Sequence, residues 1–183
     1  MRIAAVDLET TDLKANMGIL LCGSFQDILV EGRYPKPSTL SLKTTDSDVY
    51  DPDPDKALAV ALRNKIESYT MIVTWNGKLF DIPFLNSRLM FHHERPVRVQ
   101  FHLDCMLYMA GSSNRVGSRK LISAQQFFRI KEQKTGLDWE VWKRAMKGDT
   151  QAMKEVTRHC EVDVTVLAKA YWRLLPFVST IHR

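Results

Sequence analysis

The start of the chain constrains the fold most, because an apolar run leads directly into two carboxylates. Residues 2–6 are typical of a strand buried on both faces. Asp7 and Glu9 follow, and residues two apart in a strand point to the same side of a sheet. Two like charges at the end of a buried strand repel each other, and burial penalises each further. Either a hard divalent cation neutralises them, or the two acids are simply solvated.

Length and composition indicate one folded domain. The chain has 183 residues, of which 45% are hydrophobic and 26% are charged. These values are typical of a single globular domain, and we expect residues 1–183 to form one. No apolar run approaches the ~20 residues that span a bilayer, and the N-terminus lacks a signal-peptide pattern. A soluble, intracellular, cytoplasmic protein without membrane contact is therefore expected.

The cysteines indicate free thiols. Cys22, Cys105 and Cys160 lie far apart and offer neither a paired zinc spacing nor a C-x-x-C redox motif. We expect them to be unpaired and mostly buried, as in a reducing compartment.

The net charge of +5 is unevenly distributed, because the excess of Lys and Arg lies in the second half of the chain. A basic half beside an acidic centre suits a protein that holds a polyanion such as nucleic acid. Many proteins that bind no nucleic acid are equally basic, so the charge supports this interpretation only weakly.

Strand patterns fill the first third of the chain, and helix patterns fill most of the rest. Strands are predicted at 2–6, 17–25, 28–34, 40–44, 71–75 and 97–102. The first four have no helix between them, which predicts an antiparallel meander. Helices are predicted after the Asn76-Gly77 turn to about residue 90, and at 55–69, 104–108, 121–128, 138–146 and 149–175. This order predicts an α/β fold with a mixed central β-sheet flanked by α-helices.

The segment 46–55 is rich in Asp and Pro and is predicted to be an exposed loop. Its prolines and its lack of glycine do not match an EF-hand calcium loop. We interpret its acids as solvated residues that also cap the next helix, namely Asp48, Asp51, Asp53 and Asp55.

Three residues later in the chain are candidates to join the acidic pair of the first strand in one site. Asp81 follows a strand-to-helix turn, and His159 and Asp163 share one face of the last helix at i, i+4 spacing. Four carboxylates with an imidazole and no soft ligand favour Mg²⁺ or Mn²⁺ over zinc. Each residue also has a simpler explanation. Asp81 would complement a helix dipole, Asp163 would pair with a nearby cation, and His159 would be a packed or solvated helical histidine.

Several other conspicuous residues are interpreted as structural. Asp104 is the predicted cap of a short helix. No convincing ligand set is formed by His92, His93 and His102. Three tryptophans have helical spacing to apolar neighbours, namely Trp139, Trp142 and Trp172. We interpret them as lining the core or a groove, and not as a platform for base stacking.

Three motifs in order resemble the DEDD family of 3′–5′ exonucleases, which includes polymerase proofreading domains. They are Asp7-x-Glu9-Thr-Thr, then Asn76-x-x-x-Phe80-Asp81, then an imidazole four residues before Asp163. The segment 75–85 looks like the second motif of family-B polymerase exonucleases and their stand-alone bacterial or phage relatives. The resemblance extends from residue 2 to about residue 170 and implies a ribonuclease-H-like fold.

The resemblance also implies a mechanism with two divalent metal ions, Mg²⁺ or Mn²⁺, about 4 Å apart. By this analogy Asp7 bridges the ions, Glu9 and Asp163 hold the ion that carries the attacking water, and Asp81 serves the other. His159 is then the general base.

Substrate contacts follow from the same likeness. The backbone near Thr10 is expected to bind the terminal 3′-hydroxyl, while Asn76 and Phe80 position the last nucleotides. Three basic residues in and just after a polar, glycine-bearing loop would contact backbone phosphates, namely Arg115, Arg119 and Lys120. The alternative is that this segment is a plain solvated loop.

The third motif departs from the family pattern. A catalytic histidine usually stands five residues before the last Asp, where this chain has Arg158, and a spacing of four is usual for tyrosine. His159 is thus the base of a variant site, or it belongs to a slow site or serves only in positioning.

The sequence therefore predicts a metal-dependent 3′–5′ exonuclease that acts on single-stranded 3′ ends, with DNA favoured by the second motif. One alternative is an exoribonuclease that trims RNA. Another is a non-catalytic nucleic-acid-binding module that docks to a replication or repair protein. The full set of four acids argues against the latter, since a lapsed site need not keep buried carboxylates.

Overall fold

The computed structural model describes residues 1–45, 53–110, 114, 116–132, 136–179 and 181. The strands are β1 (Ile3–Thr10), β2 (Leu20–Asp27), β3 (Ser38–Ser41), β4 (Met71–Thr74) and β5 (Phe101–Asp104). The helices are α1 (Lys56–Glu67), α2 (Asp81–Phe91), α3 (Cys105–Met109), α4 (Leu121–Phe127), α5 (Trp139–Met146) and α6 (Thr150–Leu174), and a 3-10 turn follows at Leu175–Phe177. No helix in these described ranges is long and apolar enough to cross a membrane.

The strands form one mixed sheet in the order β3-β2-β1-β4-β5. The β1–β2 and β2–β3 pairs are antiparallel, whereas β4 runs parallel to both β1 and β5. The predicted antiparallel meander is present with three strands instead of the predicted four, and the predicted α/β fold with a mixed central sheet flanked by helices is confirmed.

Alternation along β1 assigns its side chains to the two faces of the sheet. Ala4, Val6 and Leu8 pack with residues of α1 and α2. Ala5 points the opposite way, into the apolar cluster that includes Leu167 of α6. Since side chains alternate in a strand, Asp7 and Glu9 share the side of Ala5 and face α6.

The end of β1 differs from the prediction. The strand does not stop before Asp7 but continues to Thr10, because β2 pairs with it along this whole length. The register shifts between Glu9 and Thr10, which ends regular pairing just beyond the second acid. The two acids therefore project from the part of β1 that is still paired with β2.

Other boundaries also move. The predicted strand at 28–34 is wrong, since the chain there forms only an isolated bridge around a turn with Gly32 at φ +83°. The edge strand β5 begins at Phe101 instead of residue 97. Helix α6 matches its prediction, and the Asp149 side chain accepts hydrogen bonds from the Gln151 and Ala152 N–H groups at its start.

Asp55 shows that the acid-rich loop was interpreted wrongly at this position. Its side chain is fully buried and does not cap α1. It accepts hydrogen bonds from the Leu20 N–H at 2.9 Å and from the Arg88 guanidinium at 2.8 Å to each oxygen, and it contacts His92 Nε2 at 2.8 Å. The interpretation of Asp48 and Asp51 lies outside the described residues.

Candidate active site

The acidic side chains of β1 lie against a cysteine of α6. The Cys160 thiol donates to the Asp7 carbonyl oxygen at 3.3 Å, and its sulfur lies 3.4 Å from Asp7 Oδ2. Single donor atoms of Asp7, Glu9 and Cys160 all fall within 4.8 Å of one another. All three cysteines are free and buried, as predicted.

Helix α6 brings the third motif to the same place. His159 Nε2 lies 3.9 Å from Glu9 Oε1 and 3.9 Å from Asp163 Oδ2. The indole of Trp142 on α5 stands edge-on to the His159 ring, with ring centroids 6.3 Å apart. The i, i+4 pair on α6 thus faces the β1 acids across a short gap.

Asp81 enters from the other end of the site, at the first residue of α2. Its side chain is 3% exposed, and its Oδ1 accepts a hydrogen bond from the Leu8 N–H at 2.9 Å. Leu8 lies between the two acids of β1, so this bond holds the Asp81 carboxylate beside Asp7. The four carboxylates predicted from distant parts of the chain therefore converge.

The turn before α2 is specified by its residues. Asn76 has a left-handed backbone with φ 67°, and a Cβ on Gly77 would lie 2.5 Å from the Thr74 side chain. Asp104 accepts hydrogen bonds from the N–H groups of Asn76 at 2.9 Å and Lys78 at 3.0 Å, and it also caps α3. The structural interpretation of Asp104 is confirmed.

Electrostatics in the site disfavours full ionisation without a cation. Burial raises the pKa of Asp7 well above its usual value, and the charges of Glu9, Asp81 and Asp163 raise it further. Burial likewise raises the pKa of Asp81 to about 7, against the opposing effect of the hydrogen bond from Leu8. Such shifts are expected where like charges share a buried site. The donor set suits a hard divalent cation, which would neutralise these carboxylates.

A cavity of about 450 Å³ opens beside Glu9. Its walls come from the residues after β1, from the turn before α2 and from α5, and they include Thr10, Leu13, Phe80, Trp139 and Trp142. Trp139 is 57% exposed and Leu13 is 82% exposed. The sequence predicted that Trp139, Trp142 and Trp172 line the core or a groove. Trp139 and Trp142 line this groove, and Trp172 packs against the core.

A second groove of about 800 Å³ contains other predicted contacts. Asn76, Arg119 and Lys120 line it together with Trp75, whose indole N–H donates to the Arg119 carbonyl at 2.8 Å. Arg115 lies outside the described residues. A separate cavity of about 770 Å³, lined by methionines such as Met17 and Met153 and by charged residues such as Lys43 and Lys147, contains none of the predicted site residues.

Two contacts at the site were missed by sequence reasoning, that of Cys160 with Asp7 and that of Trp142 with His159. Cys160 precedes Asp163 by three positions and so shares its helix face, which was a usable signal. Trp142 contacts His159 only because α5 packs against α6, and no spacing in the sequence indicates that contact.

Comparison with known proteins agrees with this architecture. A family model described as the RNase_H superfamily matches residues 4–175. The chain is similar in three dimensions to the family B DNA polymerase from the hyperthermophilic archaeon Pyrobaculum calidifontis, with a TM-score of 0.72 and 13% sequence identity. That match covers 96% of this chain and 25% of the polymerase, so the chain spans about a quarter of its length. No curated protein matches the sequence.

At this sequence identity the polymerase shows a shared fold alone. Together with the family match, it confirms the predicted ribonuclease-H-like fold, built on a mixed five-stranded sheet with flanking helices.

Proposed function

The chain belongs to the RNase_H superfamily, and we propose that within it the protein is a metal-dependent 3′–5′ exonuclease of the DEDD type. Membership supports a nuclease that acts on nucleic acid with the help of divalent cations. We propose further that residues 1–183 work as one domain, that single-stranded 3′ ends are the substrate, and that DNA is favoured over RNA.

One observation carries this proposal: four acids that are far apart in sequence meet beside one histidine. Asp7 and Glu9 come from β1, Asp81 from the start of α2, and Asp163 from α6. Asp81 is fixed to the backbone of β1, and His159 lies 3.9 Å from both Glu9 and Asp163.

The four carboxylates would hold two divalent cations, Mg²⁺ or Mn²⁺. Bound there, the cations supply an activated water and stabilise the leaving oxygen of the phosphodiester. His159 would accept the proton of the attacking water, because its imidazole stands at the edge of the acidic cluster.

The cavity beside Glu9 would receive the terminal nucleotide. Thr10 and Phe80 line that cavity, which supports a role for the backbone near Thr10 in binding a 3′-hydroxyl and for Phe80 in packing on a sugar or base. Asn76, Arg119 and Lys120 line the second groove, where the amide and the two cations would bind the preceding nucleotides and their phosphates.

The experiment is incubation of end-labelled DNA and RNA oligonucleotides with Mg²⁺ or Mn²⁺. We expect stepwise shortening from the 3′ end, faster on single-stranded DNA than on RNA, and none with Asp7→Ala. Faster shortening of RNA would select the exoribonuclease. Binding without shortening would select the non-catalytic module, and full activity of Asp7→Ala would reject the proposed site.

A further inference from the structure

The cavity of about 770 Å³ adjoins the cavity beside Glu9 without belonging to the acidic cluster. Thr11, in the turn between β1 and β2, lines both cavities. Helix α5 also contributes to both, with Trp142 lining the cavity beside Glu9 and Lys147, just after the helix, lining the other. The two cavities are therefore neighbours that share one turn and one helix.

Three methionines line the larger of these two cavities. Met153 is buried, whereas Met17 is 71% exposed and Met146 is 48% exposed. Exposed apolar side chains grouped around a concave site are typical of ligand-binding surfaces. Thioethers are polarisable and make favourable contacts with aromatic rings. The apolar part of the cavity thus suits a flat aromatic group.

Two lysines give the same cavity a positive charge. Lys43 and Lys147 line it and are exposed, and neither forms an ion pair within the described part of the chain, where Lys43 donates to the Thr150 hydroxyl. The other two charged residues of the lining, Asp53 and Arg88, are paired with each other at 2.7 Å. The charge that remains to attract a ligand is positive, which favours an anion.

We propose that this cavity binds a nucleoside 5′-monophosphate, with its base against the methionines and its phosphate at Lys43 and Lys147. The choice of ligand rests on the proposed function, because water attack that releases a 3′-terminal nucleotide with its phosphate produces this molecule in the neighbouring cavity. A volume of about 770 Å³ also falls in the range of small-molecule sites, roughly 300–1,000 Å³.

This second site differs from the active site in needing no metal ion. None of the four site acids, all of which lie in described segments, lines the cavity. A phosphate bound at the two lysines therefore meets no cluster of carboxylates. In the active site, by contrast, the four acids repel a phosphate unless divalent cations are bound.

The test is isothermal titration calorimetry of the full-length chain with deoxyadenosine 5′-monophosphate in a metal chelator. We expect one monophosphate to bind per chain. Deoxyadenosine should bind about tenfold more weakly, because it lacks the phosphate oxygens that accept charge-assisted hydrogen bonds. Inorganic phosphate should also bind more weakly, because it lacks the aromatic ring.

Substitutions separate the two parts of the site. Lys43→Gln and Lys147→Gln should each weaken binding of the monophosphate by roughly tenfold and leave binding of deoxyadenosine unchanged. Met17→Ala should weaken binding of both molecules, because it removes contact with the ring. Lys14→Gln is the matched control and should bind the monophosphate like the wild type. Lys14 is exposed in the same turn as Met17, but it lines the cavity beside Glu9 and not this one.

Hydrogen exchange locates the ligand independently of these variants. Slower exchange of residues 16–19 and 145–148 on addition of the monophosphate would support the proposal. Slower exchange confined to residues 8–10 and 139–142 would place the ligand in the active-site cavity and overturn it.

Two calorimetric results would also overturn the proposal, namely no binding of the monophosphate, or equal losses in Lys14→Gln and Lys147→Gln. The readout needs no cleavage. A chain that binds the monophosphate in this cavity but never shortens an oligonucleotide would contradict the proposed function alone. An active nuclease that does not bind the monophosphate would contradict this inference alone.

Discussion

Asp81 and Leu8 are joined by a buried hydrogen bond, in which the Leu8 N–H donates to Asp81 Oδ1 over 2.9 Å. The ladder between β1 and β4 stops at the Ala5–Val73 pair, so β1 continues beyond its parallel neighbour. Asp81 supplies an acceptor at this point, where β4 has already ended. The bond therefore fixes the start of α2 against the strand that bears the other two acids.

This relationship predicts an unusual pH dependence of stability. Burial raises the pKa of Asp81 from 3.8 to about 7, so the metal-free folded state binds a proton that the unfolded state releases. Stability from this group is then present at low pH and is lost as the pH rises from about 4 to about 7. Asp81→Asn keeps an acceptor for Leu8 and removes the titration.

The measurement is urea unfolding of both proteins in a metal chelator across this pH range. We expect the wild-type protein to lose stability relative to Asp81→Asn as the pH rises, and we expect added Mg²⁺ to narrow the difference. Parallel pH profiles for the two proteins would show that Asp81 titrates normally.

His159 should be essential for rate but not for folding. Its imidazole lies at the edge of the acidic cluster, and loss of a general base typically lowers a rate by roughly 10²–10⁴. We expect His159→Ala to lower single-turnover cleavage by this factor with Mg²⁺ present. Arg158→Ala is the matched control, since Arg158 is exposed and occupies the position where related enzymes more often have histidine. A loss below tenfold in His159→Ala would assign the imidazole to positioning.

The sequence predicted those parts of the site that depend on local geometry. The i, i+2 spacing of Asp7 and Glu9 and the i, i+4 spacing of His159 and Asp163 fix which side chains share a face, whatever the rest of the fold does. The contact of Cys160 with Asp7 depends instead on how deeply α6 packs on β1. That packing is set by many apolar side chains together and has no short sequence signal.

Asp55 also shows that local sequence does not reveal contacts between distant parts of the chain, here because a residue predicted to be exposed is buried. Its surroundings in sequence are Asp and Pro residues, and composition alone indicates an exposed loop. Its burial is decided by Arg88, which lies 33 residues away and reaches it only after α2 has packed beside α1. Ionic partners this distant in sequence are not visible in a local pattern.

The Asp55–Arg88 pair should contribute strongly to stability. Asp55 is fully buried, Arg88 is 3% exposed, and the same guanidinium also donates to the Ala15 carbonyl at 3.1 Å. Arg88 also pairs with Asp53 at 2.7 Å, so removing Asp55 would leave the guanidinium a partner, whereas removing Arg88 takes the cation away from the fully buried Asp55 carboxylate. Breaking a buried pair in this way typically costs about 3–5 kcal/mol, and we expect Arg88→Ala to lower the free energy of unfolding by about that amount.

Urea unfolding at neutral pH measures this loss, with Arg95→Ala as control. Arg95 forms an ion pair with Glu67 at 2.6 Å, but its side chain is half exposed, so its loss should change stability much less. Equal effects of the two substitutions would show that burial does not strengthen the Asp55 pair.

Trp139 should bind a base in the cavity beside Glu9, although the sequence indicated lining and not base stacking, because its ring is exposed at that cavity. Its ring is 57% exposed, and it faces the cavity that Phe80 and Thr10 also line. Stacking of one base on an aromatic ring is typically worth about 1–3 kcal/mol. We expect Trp139→Ala to weaken binding of a single-stranded oligonucleotide by this amount, measured by fluorescence anisotropy without divalent cations. Phe127→Ala is the control, because Phe127 is 63% exposed but lies outside that cavity, and an equal loss there would argue against stacking.

Arg119 and Lys120 should set the salt dependence of binding. Both are exposed, and both line the groove that contains Asn76. Removing a side chain that neutralises one phosphate lowers the slope of log affinity against log salt by about 0.7 for a single strand. We expect Arg119→Ala and Lys120→Ala each to weaken binding to all sequences alike and to lower the slope by about that value. Lys36→Ala, an exposed lysine beside the opposite edge strand β3, should leave the slope unchanged. If all three variants shift the slope equally, the strand follows no defined path through this groove, and attraction by the overall positive charge accounts for binding.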